Sequence, residues 1–189
     1  MERYQPPSTG LIHLWPLILL MDIITPSKGV LNGTELLEQV CNHTSDTVFC
    51  VTTLIADPNA GGPQALAGDL ANAALRSAQT KATHAQALIA LLLQNATNSL
   101  DRHSLQICQS SNNEALSQLS SANNEFNSDS LDSMVGLMNG AAGVTKACLN
   151  EIQGRGHHFS LLAAVNADLI KLCEICIVST RYFTIEDLY

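Results

Sequence analysis

Two cysteines separated by a short polar stretch, CNHTSDTVFC, restrict the fold of this chain more than any other feature. If residues 41–50 formed one helix, Cys41 and Cys50 would lie about 13 Å apart, because a helix rises about 1.5 Å per residue. A disulfide needs Cα atoms about 4.4 to 6.8 Å apart, so a bond between these cysteines requires the chain to reverse direction. The Thr-Ser-Asp sequence at 44–46 supplies turn residues and a helix N-cap. The segment therefore predicts a small helical hairpin closed by a disulfide.

Residues 1–29 have the pattern of a secretory signal peptide, in which two charged residues precede the apolar run LIHLWPLILLMDII and a stretch of small and turn-forming residues. The apolar run has about fourteen residues, whereas a membrane-spanning helix needs about 20. We expect cleavage between Thr25 and Val30, which leaves residues 30–189 as one domain with a substantial core. A retained membrane anchor is the alternative. No later segment has the length of a membrane span, so we expect the mature protein to be soluble.

Three Asn-x-Ser/Thr glycosylation sequences, at Asn32, Asn42 and Asn95, agree with export, and export to an oxidising compartment makes disulfides plausible. Such triplets also arise by chance in a chain that is rich in Asn, Ser and Thr. The sequence therefore predicts a secreted glycoprotein in which only one or two of these sites need be used.

The formal net charge is −8, from 9 Lys and Arg residues against 17 Asp and Glu residues. The presumed signal peptide removes two charges of each sign, so the mature protein keeps the same net charge. A surface of this sign disfavours nucleic acid and anionic membranes as partners and suits a basic partner better. Solubility alone is an equally good explanation of the charge.

Four long helical segments follow the two cysteines, and no segment alternates in the manner of a β-strand. The pattern predicts helices from about 64 to 94, 105 to 124, 131 to 152 and 159 to 180. In the first, apolar residues recur at intervals of three, four or seven; they are Leu66, Leu70, Ala74, Ala78, Ala85, Leu88 and Leu92. Pro63 is expected to open this helix, and Asp129 or Ser130 to cap the third. The arrangement predicts an all-α, up-and-down four-helix bundle.

Three glycines, Gly136, Gly140 and Gly143, fall inside the third long helix. Each weakens a helix interior by up to about 1 kcal/mol relative to Ala. We expect the close approach of a neighbouring helix to explain them.

Cys108 and Cys148 are forty residues apart, and their midpoint, residue 128, falls in the predicted turn NSDS. In an antiparallel helical hairpin, residues equidistant from the turn lie opposite each other, so these cysteines are expected to meet at the end away from it. Six cysteines allow fifteen complete pairings, so the spacing favours this pair without fixing it.

The remaining cysteines form a Cys-x-x-Cys pair, Cys173 and Cys176, a spacing that also occurs in redox and metal sites. Redox pairs use a helix N-terminus to lower the thiol pKa, whereas DLIKLCEICIVS places both thiols inside an apolar helix. A zinc site needs two more ligands, and His157 and His158 lie about four turns away along the helix. We therefore expect two buried cysteines, no metal and no cofactor.

Four sequence motifs occur together in this chain. Cys-x8-Cys is followed by Leu-x-x-Asp-Pro at residues 54–58, and CQSSNNEALSQL places Ala115 and Leu119 seven and eleven residues after Cys108. NGAAGVTKACLNEI surrounds the fourth cysteine, and DLIKLCEICIVS ends the last helix. In combination, and over about residues 35–179, they resemble the plant invertase and pectin methylesterase inhibitor family.

This resemblance implies both a fold and a function. The fold is a four-helix bundle preceded by a helical hairpin, with disulfides Cys41–Cys50 and Cys108–Cys148 and an unpaired Cys173. The function is to bind a carbohydrate-active enzyme of the plant cell wall and to block its active site. The protein is accordingly expected in the apoplast.

Within the family, the motifs favour pectin methylesterase over acid invertase as the target. The invertase branch carries Pro-Lys-Phe before the fourth cysteine, where this chain has Leu131 to Ser133. Pectin methylesterase inhibitors commonly have an acidic residue six after the third cysteine, matched here by Glu114. This chain departs from them at Asn112, where an aromatic residue is usual, and at Ala147, where threonine is usual. An inhibitor of cell-wall or vacuolar acid invertase and a non-inhibitory secreted relative are the alternatives.

We expect the outward faces of the second and third long helices to cover the substrate cleft of a pectin methylesterase. The polar residues expected there are Ser110, Ser111, Glu114, Ser117, Gln118, Ser121, Asn150 and Glu151. Short polar side chains suit close, hydrogen-bonded contact, and Glu114 suits a basic group on the enzyme. For each residue alone, a solvated helix face is the simpler interpretation. If carboxylates carry the contact, binding weakens as they become protonated.

An enzymatic function has no comparable support in the sequence. A hydrolase or a thiol oxidoreductase needs a nucleophile with a base, or an exposed thiolate. The chain contains no Gly-x-Ser-x-Gly motif, no phosphate-binding loop and no paired catalytic carboxylates, and its six histidines are scattered. We therefore expect a binding protein without catalytic residues.

Overall fold

The computed structural model describes residues 31–183; the predicted signal peptide and its cleavage region lie outside them. Six α-helices follow one another in this part of the chain: α1 Gly33–Asn42, α2 Thr47–Ile55, α3 Ala67–Asn95, α4 Ser99–Asn127, α5 Leu131–Ile152 and α6 Ser160–Ser179. Short 3₁₀ turns at His157–Phe159 and Thr180–Tyr182 flank α6. Residues 31–183 contain no β-strand. The predicted all-α fold is confirmed.

Helices α3 to α6 form the predicted up-and-down bundle, in which each helix packs on two neighbours. The order around the bundle is α3, α4, α5, α6 and back to α3, so helices adjacent in sequence are adjacent in space. Each helix turns a stripe of small or apolar residues inward at intervals of three or four. The stripe of α5, for example, consists of Met134, Met138, Ala141, Thr145, Cys148 and Ile152.

The chain reverses between α1 and α2, as the two cysteines predict. The Cys41–Cys50 disulfide joins Cα atoms 5.4 Å apart. Asp46 is the N-cap of α2, and its side chain accepts a hydrogen bond of 3.0 Å from the backbone N–H of Phe49. Helix α1 packs on α2 and α6, and α2 also packs on α3. The hairpin therefore lies against the first and last helices of the bundle.

Helix α3 starts later than the sequence pattern indicates. Pro63 does not open it, because the helix begins at Ala67. The chain between them makes a turn, and the carboxylate of Asp69 accepts a 3.0 Å hydrogen bond from the backbone N–H of Leu66. This bond satisfies a backbone donor that precedes the first helical turn, which fixes the start of α3 at this point.

Helix α4 starts earlier than predicted, at Ser99 instead of near Leu105. Asn98 is its N-cap, and the side-chain oxygen of Asn98 accepts a 2.7 Å hydrogen bond from the backbone N–H of Asp101. The polar run NATNSLD contains both the end of α3 and this cap, so only three residues separate the two helices. A composition typical of a loop is in this case the composition of two helix ends.

The turn between α4 and α5 lies where the sequence places it. Asp129 adopts φ 56°, and the backbone N–H of Ser130 donates a 2.9 Å hydrogen bond to the carbonyl of Glu125. This left-handed residue ends α4 in a way that Asp tolerates better than most residues. Ser130 precedes α5 as expected, but its side chain makes no cap hydrogen bond.

The Cys108–Cys148 disulfide joins α4 to α5 at the end away from that turn, with Cα atoms 4.6 Å apart. The spacing therefore indicated the pair that the structure contains. A small apolar cluster surrounds this disulfide and includes Ile89, Leu105, Ile152, Phe159 and Leu162. A larger cluster fills the rest of the bundle and continues between α1 and α2.

Candidate functional site

The polar residues expected to contact a partner lie on α4 and near the end of α5. The exposed ones are Ser110, Glu114, Ser117 and Asn150, and the partly buried ones are Ser111, Gln118, Ser121 and Glu151. The buried stripe of α4 consists of Ser104, Leu105, Cys108, Asn112, Ala115, Leu119 and Ala122. The expected residues of α4 lie between these positions, so they face outward or toward α5.

Glu114 is an exposed carboxylate with no ion-pair partner among residues 31–183. The side-chain N–H of Gln118 donates a 3.0 Å hydrogen bond to it from one turn along α4. Gln118 in turn lies against Gly140 of α5. The two are so close that a Cβ added at Gly140 would collide with the Gln118 side chain. The glycine thus leaves the space that Gln118 occupies. The contact limits the rotamers of Gln118, which helps to orient the carboxylate of Glu114.

The explanation expected for the three glycines of α5 is wrong at two positions. Among residues 31–183, nothing outside the local backbone of α5 lies within 4 Å of a Cβ placed at Gly136 or Gly143, so no described helix approaches them closely. Both residues are exposed, and so is Ala147, one turn after Gly143. Together with Gly140, these small residues make the outward side of α5 nearly flat next to Glu114 and Gln118. Their spacing of three or four residues, offset from the buried stripe, was the sequence signal for this surface.

Glu151 has partners inside the protein. Its carboxylate accepts a 2.8 Å hydrogen bond from the hydroxyl of Ser104, a buried residue of α4, and it pairs with the guanidinium of Arg155 at 2.7 Å. Glu151 therefore links the start of α4 to the end of α5, and its negative charge is paired with Arg155. Sequence reasoning missed Ser104, because nothing local indicates a partner 47 residues away.

Asn112 lies in the core and is only 5% exposed. Its side-chain nitrogen is buried without a hydrogen-bond partner among the described residues. The departure from the usual aromatic residue at this position therefore changes the interior of the bundle and leaves the outward surface intact. Ala147, the other departure, lies on the outward side of α5.

The Cys173 and Cys176 thiols are free and buried inside α6. Loss of solvent raises the pKa of Cys173 to about 12, and burial together with the neighbouring Cys173 raises the pKa of Cys176 as well. Neither thiol forms a thiolate at neutral pH, so this Cys-x-x-Cys pair lacks the reactive group of a redox site. Between Leu31 and Phe183, no group of three or more His, Cys, Asp or Glu side chains is placed to hold a metal ion.

A family model described as plant invertase/pectin methylesterase inhibitor matches residues 35–178. The chain belongs to this family. The resemblance inferred from the cysteine spacing and the helix motifs is thereby confirmed. The family description covers inhibitors of two enzymes, so membership indicates an inhibitor and leaves the target open. No curated protein sequence matches the chain.

Two solved structures of pectin methylesterase inhibitors from Arabidopsis share the fold. A mutant form A has a TM-score of 0.71 and 18% identity, and the match covers 78% of this chain and 97% of that chain. The other structure, of a pectin methylesterase inhibitor from Arabidopsis thaliana, has a TM-score of 0.61 and 17% identity, and the match covers 78% of this chain and 96% of that chain. At these identities the similarity establishes the architecture. Across residues 31–183, no helix is both long and apolar enough to cross a membrane.

Proposed function

We propose that this protein inhibits a pectin methylesterase by laying the outward faces of α4 and α5 over the substrate cleft of the enzyme. The observation that carries the proposal is the family match over residues 35–178. The fold shared with two Arabidopsis pectin methylesterase inhibitors supports the choice of target. The lack of Pro-Lys-Phe at residues 131–133 further disfavours acid invertase.

The surface of α4 and α5 has properties that suit such a contact. Small residues at 136, 140, 143 and 147 allow another protein backbone to approach closely, and the serines of α4 supply hydrogen-bonding groups. Glu114 adds a negative charge that has no cation partner in residues 31–183. The Cys108–Cys148 bond and the buried stripes hold both helices in place, so little order has to be gained on binding.

The same proposal includes secretion into the apoplast after cleavage of residues 1–29. Asn32, Asn42 and Asn95 are exposed, so each is accessible for a glycan. None of them lies on α4 or α5.

The direct test measures inhibition of a pectin methylesterase and of an acid invertase side by side at mildly acidic pH. We expect the pectin methylesterase alone to be inhibited, at a stoichiometry near one to one. Inhibition of the invertase alone would show that the target is acid invertase, the other enzyme named in the family description. Inhibition of neither enzyme would leave a non-inhibitory relative.

The contact surface is tested by charge reversal at Glu114. We expect Glu114→Lys to weaken inhibition by about tenfold or more, because an attractive contact with a basic group becomes repulsive. Glu38→Lys is the matched control, since Glu38 is also exposed but lies on α1. It should change inhibition by less than about twofold. Equal effects of the two variants would move the contact away from this face.

A further inference from the structure

Charge is unevenly distributed along the bundle. Within residues 95–108 and 148–166 the acidic residues are Asp101 and Glu151 alone, although the chain has 17 acidic residues. The Cys108–Cys148 disulfide places these two segments at the same end of the molecule. We call the exposed cationic and titratable residues of these segments the histidine-rich end; they are Arg102, His103, Arg155, His157 and His158.

Both acidic residues of this end already have partners. Glu151 pairs with Arg155, and Asp101 accepts a 2.6 Å hydrogen bond from the side chain of Asn98 and lies 3.2 Å from His158. The contact of His158 with Asp101 connects the loop after α5 to the start of α4. Among residues 31–183, the side chain of His103 has neither a hydrogen-bond nor an ion-pair partner, and the same is true of the His157 side chain.

The surrounding helices contribute no further titratable group. Residues 85–95 of α3 and 160–167 of α6 contain no acidic or basic side chain. Near neutral pH the charges of Arg102 and Arg155 are therefore balanced by Asp101 and Glu151. Histidine side chains gain a proton as the pH falls through about 6.5. Mildly acidic conditions thus give this end a net positive charge on a protein that is otherwise acidic.

We propose that the histidine-rich end binds a carboxylate-bearing polysaccharide, de-esterified pectin, at mildly acidic pH and releases it near neutral pH. Guanidinium and imidazolium groups form charge-assisted hydrogen bonds to carboxylates, so the charge and the donors both match such a polymer. The choice of polymer rests on the proposed function, because removal of a methyl ester from pectin leaves a free carboxylate. Glu114 lies about 16 Å further along α4 than His103, so this histidine does not border the carboxylate that the inhibition test addresses.

The experiment uses the mature protein and immobilised polygalacturonate at constant, low ionic strength. We expect binding at about pH 5 to be about tenfold tighter than at about pH 7.5, because histidine side chains carry a positive charge mainly under acidic conditions. A fully methyl-esterified polymer should not bind at either pH. Equal binding at both pH values, or equal binding of the esterified polymer, would overturn the proposal.

Substitution separates this surface from a general charge effect. His103→Gln combined with His157→Gln should weaken binding at about pH 5 by about fivefold or more. His84→Gln is the matched control, because His84 is exposed on α3 and lies outside the histidine-rich end. An equal loss in the control, or equally tight binding of phosphatidylserine vesicles, would exclude a specific polysaccharide site. Inhibition of pectin methylesterase by the double variant should be unchanged, so the two proposals fail separately.

Discussion

The α1–α2 hairpin and the α4–α5 hairpin are each closed by one disulfide, but different interactions hold them. The first disulfide spans nine residues and the second spans forty. Helix α2 buries only Cys50 and Leu54, and it exposes Val48 by 73% and Ile55 by 60%. Helices α4 and α5 bury continuous stripes that belong to the bundle core. The short hairpin therefore depends on the covalent bond and on its neighbours far more than the long one.

Polar contacts with α6 stabilise the short hairpin, because α2 contributes little buried apolar surface. Lys171 pairs with Asp46 at 2.9 Å, and its ammonium lies 5.0 Å from the centre of the Phe49 ring. The carboxylate of Glu174 accepts a 2.9 Å hydrogen bond from the backbone N–H of Ser45 and another from the Ser45 hydroxyl. Apolar burial along both helices holds α4 and α5, whereas in the short hairpin α1 supplies most of the buried apolar residues and directional polar contacts to α6 are added to them.

Removal of each disulfide is expected to have the largest effect on stability and to distinguish the two hairpins most clearly. The chain-entropy relation gives about 4 kcal/mol for the loss of Cys108–Cys148 and about 2.7 kcal/mol for the loss of Cys41–Cys50, because the longer loop regains more freedom when unfolded. Paired Cys→Ser variants, measured by denaturant unfolding, test these values.

The two variants should also differ in where order is lost. Hydrogen exchange should increase mainly in residues 33–55 when Cys41–Cys50 is absent, while the bundle helices stay protected. Loss of Cys108–Cys148 should increase exchange in α4 and α5 and weaken the proposed inhibition. The comparison fails if both variants lose protection in the same helices.

The next largest effect on stability is expected at Asn112, whose unpaired side-chain amide is buried in α4 of the long hairpin. We expect Asn112→Leu to raise the free energy of unfolding by about 1 kcal/mol, because a buried group without a hydrogen bond is replaced by an apolar one. Asn124→Leu is the control, since Asn124 is exposed on the same helix, and it should have almost no effect. A loss of stability in Asn112→Leu would mean that the amide has a buried partner, such as an ordered water.

The architecture was predictable because it depends on the periodic spacing of apolar residues and on the positions of the cysteines in the sequence. Apolar residues at intervals of three and four indicated the long helices, and the midpoint between Cys108 and Cys148 coincided with the α4–α5 turn. Helix ends were less predictable, since they depend on single hydrogen bonds such as that between Asn98 and Asp101. A polar run looks the same in sequence whether it is a loop or two capped ends.

The candidate site was predictable only in part. Exposure of Ser110, Glu114 and Ser117 follows from their position opposite the buried stripe of α4. The partners of Glu151 do not follow, because the register between two helices decides which side chains meet. The same holds for Lys171 and Asp46, which are 125 residues apart in the chain. Long-range polar pairs of this kind require the three-dimensional structure.

The smallest expected effect concerns the ion pair between Asp46 and Lys171. The pKa of Asp46 lies below the ordinary 3.8 because the backbone N–H of Phe49 donates to its carboxylate and Lys171 donates to it as well. A carboxyl group with a lowered pKa stabilises the folded hairpin fully above pH 3.8, and this contribution is lost as the pH falls through the lowered value. The Phe49 amide proton, followed by NMR between about pH 7 and pH 2, should titrate with a midpoint below 3.8.

Lys171→Met should raise that midpoint only part of the way toward 3.8, because the hydrogen bond from Phe49 remains. Lys146→Met, which removes an exposed lysine of α5, should leave it unchanged. An unchanged midpoint in Lys171→Met would show that the ion pair does not form in solution. Since Asp46 keeps its charge down to pH values below 3.8, these hairpin contacts should be equally strong at about pH 5 and about pH 7.5. The histidine-rich end should respond across that same interval, so the two regions separate carboxylate-based from histidine-based pH dependence.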